Sequence, residues 1–213
     1  MQINNSNIAL VHDWFLKRSF GGAEKVTLLI DSFLSKSYRN PDVYSLTSNI
    51  EKLEDIFLRD LNINTSFIQK LPFGKTNVQN FLPLLPFAIE QINLEKYDLI
   101  ISSSHAFSKG VLTNPYQLHI SYVHTPMRYA WDQMNNYLDK SAYSRLGFEV
   151  LIRYFLYKLR QWDFSSSQKI DYIIANSSFT SKRIKKYWGL NSQIIHPPIN
   201  TERFKFTNNR DDF

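Results

Sequence analysis

The stretch Tyr97–Asp132, YDLIISSSHAFSKGVLTNPYQLHISYVHTPMRYAWD, decides the fold. Two apolar runs within it, Asp98 to Ser103 and Leu118 to Val123, are too brief for helices and rich in Ile, Leu and Val, which predicts buried strands. Each run breaks off into a polar turn bearing a histidine, Ser102-Ser103-Ser104-His105 after the first and His124-Thr125-Pro126 after the second. In an open parallel sheet, ligands bind outside the carboxyl ends of the strands, so both turns fall where such a sheet concentrates its chemistry. Pro126 removes a backbone donor and pushes Thr125 out of the α region, which turns the chain directly after His124.

Outward from this stretch, strand and helix alternate. Asn7 to His12 reads as a first strand, and after a loop containing Gly21-Gly22 a helix over Ala23 to Leu34 places Val26, Leu29, Ile30 and Phe33 on one face. Val43 to Leu46 predicts a second strand, Glu51 to Leu58 a short helix and Thr65 to Ile68 a third strand, a βαβαβ order that implies parallel pairing. Pro72, Pro83 and Pro86 punctuate an aromatic segment expected to be a loop and one or two short helices. This segment serves either as packing against the sheet or as a hydrophobic lid or acceptor groove. A long helix is expected over residues 143–168, then a strand over Tyr172 to Ala175, N-cap candidates at Asn176-Ser177-Ser178, a basic helix over Phe179 to Trp188 ending at Gly189, and a last strand over Gln193 to His196.

Composition bounds what such a chain can be. With 213 residues, 43% of them hydrophobic and 15% aromatic, it can bury a sizeable core, and one α/β domain is expected. The absence of cysteine excludes a disulfide framework and thiol chemistry. The opening MQINNSNIALVHDW lacks a basic region before its apolar run, unlike a signal peptide. No apolar stretch approaches the ~20 residues that span a bilayer, so a soluble, cytoplasmic chain is expected. The net charge of +6 is uneven: residues 1–138 hold 12 basic and 12 acidic side chains, whereas residues 139–213 hold 13 basic and 7 acidic. That excess fits either an anionic partner or a solvated helix face, and the long helix serves either to cover the sheet or to lie on a membrane as a peripheral contact.

Four stretches carry a family resemblance: VHDWFLKRSFGGAEKV at 11–26, YDLIISSSHAFSKGV at 97–111, SYVHTPMRYAWD at 121–132, and DYIIANSSFTSKRIKKYWG with IIHPPINTERF between 171 and 204. Together they resemble the retaining glycosyltransferases of the glycosyl transferase group 1 type, in particular the mannosyltransferases that build bacterial surface polysaccharides. The resemblance implies a Rossmann-like, doubly wound parallel sheet flanked by helices, one half of a GT-B architecture. It implies residues 1–200 as the acceptor-side N-terminal domain, 201–213 as the start of an interdomain linker, and a donor-binding C-terminal domain outside these residues. The pair Glu24 and Asp31, seven positions apart, sits on the first helix and is not the Glu-x7-Glu motif of that second domain.

Candidate site residues follow. Gly21 and Gly22 open a helix whose N-terminal amides favour an anion, and the resemblance implies the donor diphosphate there; a plain tight turn is the other reading. The resemblance makes His124 a contact to the donor sugar near its anomeric carbon, hence the catalytic candidate. The residue pattern alone also allows a capping histidine satisfied by nearby backbone. His105 is open between acceptor contact and a structural hydrogen bond. Asp13 stands to accept from an acceptor hydroxyl, or to cap its loop. Arg128, Tyr129 and Trp131 resemble an aromatic sugar platform with an anion contact, or else pack a helix after Pro126. Asn176, Lys182 and Arg183 either face the interdomain cleft or serve as helix capping and a solvated basic face, the preferred reading. No metal-ligand spacing recurs, so neither metal nor cofactor is expected.

The leading expectation is transfer of a mannose-like hexose from a nucleoside-diphosphate sugar to a lipid-linked or polysaccharide acceptor with retention. The competing class is a non-catalytic nucleotide- or glycan-binding module that partners a separate catalytic chain. Nucleic acid is not an expected partner, because the basic residues fall in no recognised nucleic-acid motif.

Overall fold

Short runs of Ile, Leu, Val and Ala between turns form the strands: β1 (Ile8–His12), β2 (Asp42–Ser45), β3 (Ile63–Thr65), β4 (Leu99–Ser104), β5 (Leu118–Val123), β6 (Tyr172–Ala175) and β7 (Gln193–Ile194). The computed structural model describes residues 6–50, 62–139 and 149–199, and among them these strands pair in one seven-stranded sheet of order β3-β2-β1-β4-β5-β6-β7. Every pairing is parallel. The α-helices among the described residues are α1 (Gly22–Ser37), α2 (Leu85–Glu90), α3 (Met134–Asp139), α4 (Glu149–Ser167) and α5 (Ser178–Trp188). The doubly wound α/β architecture is therefore as expected.

Alternation along the strands feeds two layers. On one face, Ala9, Val11 and Ile100 pack with Leu85 and Ile89 of α2 and with Leu156 and Leu159 of α4. On the other, Leu10 and Val43 pack with Leu28 of α1, and Ile8 and Leu99 with Leu34. β1 is buried along its whole length, as a central parallel strand covered on both faces should be. The chain runs outward from β1 to β3 and then returns to β4 on the opposite side of β1. The strand order reverses between β1 and β4, and a crevice opens beyond their carboxyl ends.

Several elements differ from their sequence reading. α1 buries Val26 as expected, together with Glu24, Thr27, Leu28, Asp31 and Leu34, while Leu29 is 48% and Phe33 59% exposed. The periodicity counted apolar positions alone, whereas the buried stripe also carries polar residues, of which Glu24 accepts the Gly21 amide and Thr27 bonds Ser103 and His12. The third strand ends at Thr65, two residues after it begins, because Ser66 caps a 3-10 turn over Phe67–Lys70 by accepting the amide of Ile68. Pro83 lies in a second 3-10 segment, Val78–Leu84, that leads into α2. In α4, Leu156 and Leu159 are buried but Val150 and Tyr154 face solvent. β7 stops at Ile194. α5 is as read: Ser177 accepts the amide of Thr180 at 3.2 Å, and Gly189 closes the helix with a left-handed φ of 74°. Arg183, however, is no solvated cation, being 6% exposed and paired with Asp132. The helix expected over 51–58, the first turns of the long helix and the chain from residue 200 lie outside the described residues.

Candidate active site

The site is built where β1, β4 and β5 end. Side chains alternate along β1, so His12 and Asp13 leave the strand towards different neighbours. Asp13 is fully buried and clasps the loop after β4: its Oδ2 accepts the amides of His105 at 2.7 Å and Ala106 at 3.1 Å, and its Oδ1 accepts those of Phe107 and, at 2.8 Å, Ser108. Burial alone pushes a carboxyl upward, but His105, His12 and the loop amides together hold Asp13 below its ordinary range. With both oxygens committed to backbone, Asp13 caps the loop and presents no free oxygen to an acceptor hydroxyl.

Three imidazoles surround that carboxylate. His12 is fully buried, its Nδ1 2.8 Å from the Ser103 carbonyl, and burial lowers its pKa to about 3, with His105 adding to the effect. His105 is half-buried, with Nδ1 3.1 Å from Asp13 Oδ2 and its ring edge-to-face with Trp14 at 4.7 Å between centroids. His124 is half-buried, with Nε2 2.8 Å from Ser103 Oγ, and burial lowers its pKa to about 4. Both shifted rings are neutral at pH 7.

Ligand atoms of His12, Asp13 and His105 lie within 4.8 Å of one another, the spacing of a candidate cation cluster. A metal taking Asp13 would have to displace loop amides from oxygens that already accept four. The set fits a loop clasp better than a cation site.

In front of these rings lies a cavity of about 600 Å³. Its wall is mixed: Gly21, Gly22, Glu24, His105, His124 and Arg128 bring polar groups, and Trp14, Leu82, Tyr137, Leu138, Ile152 and Leu156 an apolar and aromatic surface. Tyr129 stands in the wall with its hydroxyl buried and without a hydrogen-bond partner among the described residues, and burial raises it well above its ordinary range. Such an orphaned hydroxyl is a group that a bound ligand would satisfy. Gly21 is the N-cap of α1, and its own amide is held at 2.8 Å by Glu24 Oε2, so the protein supplies a carboxylate at this helix terminus.

Of the sequence candidates, Gly21, Gly22, His105, His124, Arg128 and Tyr129 thus share one cavity. Arg128 is exposed at its rim. Asp13 and Trp131 stand outside. Trp131 stacks on Tyr187 at 4.7 Å and donates its Nε1 to Asp163 at 2.8 Å, so it packs the turn after Pro126 against α5 and offers no sugar platform. Trp14, Glu24 and Tyr137 line the cavity without having been singled out. Trp14 carried the one usable signal, since it follows the first strand's end in the same turn as Asp13.

The sequence model of the family described as Glycosyltransferase Family 4 matches residues 20–203. Comparison with curated proteins gives no match. With most of the chain matched, over a parallel Rossmann-like sheet whose cavity lies at the strand ends, the protein belongs to Glycosyltransferase Family 4 as a GT-B half-domain.

Proposed function

We propose that this domain forms the acceptor side of a retaining hexosyltransferase, which moves a mannose-like sugar from a nucleoside diphosphate to a lipid-linked or polysaccharide acceptor. The observation that carries the reading is the cavity at the ends of β1, β4 and β5, whose wall combines polar groups with an apolar and aromatic surface. His124 faces the transferred sugar, Arg128 meets phosphate at the rim, and Tyr129 and His105 bind hydroxyls. Gly22 and Ala23 offer first-turn amides to the diphosphate next to the carboxylate of Glu24. A second Rossmann-like domain closes the cavity and holds most of the nucleotide, which brings donor and acceptor together and excludes water. The reading invokes no metal or cofactor and places the enzyme in the cytoplasm, at the inner face of a membrane. Among the described residues no helix is long and apolar enough to cross one.

The test is His124→Ala in the two-domain enzyme. Loss of one preorganised contact to the transition state lowers kcat by roughly a hundredfold, about 3 kcal/mol. The lost bond to Ser103 costs about 1 kcal/mol of stability. Unchanged turnover per folded molecule would reject the assignment. Saturable nucleotide binding without turnover of any nucleotide hexose would favour the non-catalytic module instead.

A further inference from the structure

Behind His124, three fully buried side chains from three elements form one line. His124 Nε2 is 2.8 Å from Ser103 Oγ, Ser103 Oγ is 2.7 Å from Thr27 Oγ1, and Thr27 Oγ1 is 3.1 Å from His12 Nδ1. The sheet builds the line: the parallel register sets His12 of β1 beside Ser103 of β4, and the polar stripe of α1 lowers Thr27 onto both.

Hydrogen positions follow from what each atom is able to do. His12 Nδ1 lies 2.8 Å from the Ser103 carbonyl, which only accepts, so this nitrogen carries the proton. Thr27 has one hydroxyl proton and two acceptors, Ser103 Oγ at 2.7 Å and the Ala23 carbonyl at 2.9 Å. Given to the shorter bond, it makes Ser103 an acceptor on that side. Ser103 then donates its own proton to His124 Nε2. A neutral imidazole whose Nε2 accepts must carry its hydrogen on Nδ1, and Nδ1 of His124 has no partner among the described residues.

We propose that Ser103 and Thr27 are positioning residues that fix His124 as its Nδ1–H tautomer, so that the cavity meets a neutral hydrogen-bond donor rather than a base. The inference rests on the reading of His124 as the group that faces substrate. It narrows what His124 can do: an Nδ1–H on a ring that lines the cavity can donate to an oxygen there, whether a sugar hydroxyl or a phosphate oxygen, and that bond strengthens as the oxygen gains negative charge. It does not take a proton from the acceptor. A relay of hydroxyls ordered in one direction also stiffens the ring, because each bond polarises the next.

The experiment has two arms. Long-range nitrogen–proton NMR of the histidine rings in this chain should show His124 as Nδ1–H in the wild type and in Thr27→Ser, which keeps the hydroxyl. It should show a mixture of tautomers in Ser103→Ala and Thr27→Val. In the two-domain enzyme, Ser103→Ala and Thr27→Val should lower kcat by about tenfold or more with little change in KM, and Thr27→Ser should restore it. An Nε2–H tautomer in the wild type, or an unchanged tautomer in both hydroxyl-deleting variants, would overturn the proposal. Normal turnover in Ser103→Ala with turnover lost in His124→Ala would overturn the positioning role alone. Normal turnover in both would overturn the substrate-facing reading of His124 as well.

Discussion

Asp13 Oδ1 accepts the amide of Ser108 at 2.8 Å across 95 positions of sequence, with neither residue reachable by solvent. One carboxylate at the end of β1 therefore organises the loop that carries His105 at the end of β4. Asp13→Ala leaves four loop amides without an acceptor and should cost about 3–5 kcal/mol of stability. Urea unfolding measures this. A loss below about 1 kcal/mol would show that the loop holds itself.

A second buried charge ties other elements together. Lys109 Nζ lies 2.9 Å from Asp163 Oδ1, while Asp163 Oδ2 takes the indole N–H groups of Trp131 and Trp188, each at 2.8 Å. Lys109→Met should cost about 3 kcal/mol by leaving Asp163 uncompensated, and Lys109→Met with Asp163→Leu should cost less than the two single losses added together. Thermal unfolding of the three variants gives the coupling. Strict additivity would contradict it.

Acid should unfold the domain early. Burial lowers His119 to about 4, His124 to about 4 and His12 to about 3, from an ordinary 6.5. The unfolded chain then binds more protons than the native one below pH 6.5, so stability is fully present above that value and falls as pH drops towards 4. Each fully buried ring contributes on the order of 3 kcal/mol across that window. Replacing His119, which is 2.8 Å from Ser102 Oγ, with Gln should flatten the slope of stability against pH. A slope equal to that of the wild type would show that His119 does not titrate in this way.

The outer face of α4 presents Val150, Leu151, Tyr154 and Tyr157 to solvent, with Lys158 5.7 Å from the Tyr154 ring. Under the proposed transfer to a lipid-linked acceptor, this stripe would meet the membrane surface. The protein should sediment with anionic vesicles at low ionic strength and release as salt rises, and Tyr154→Glu should weaken the binding. No sedimentation at low salt would leave the stripe without a membrane role.

Where local chemistry suffices, the sequence was legible. The buried strands of Tyr97–Asp132 are short β-branched runs bounded by turns, and α5 begins at Ser177 and ends at Gly189 because a cap and a left-handed residue are local features. The positions of His105 and His124 followed as well, since a parallel sheet opens its crevice at strand ends. The resemblance pointed to the family that the match over residues 20–203 establishes.

Tertiary structure decided which polar groups pair. Asp13 clasps a loop and Trp131 stacks on Tyr187 because strand order and helix docking bring distant positions together, and no periodicity encodes those partners. The inward face of α1 was hidden for the same reason: apolar counting favours Leu29 and Phe33, yet Thr27 turns inward because His12 and Ser103 wait there with hydrogen bonds to fill. A strand's sequence sets which of its residues are buried. Only the register between β1 and β4 sets His12 beside Ser103, and with it the environment of His124.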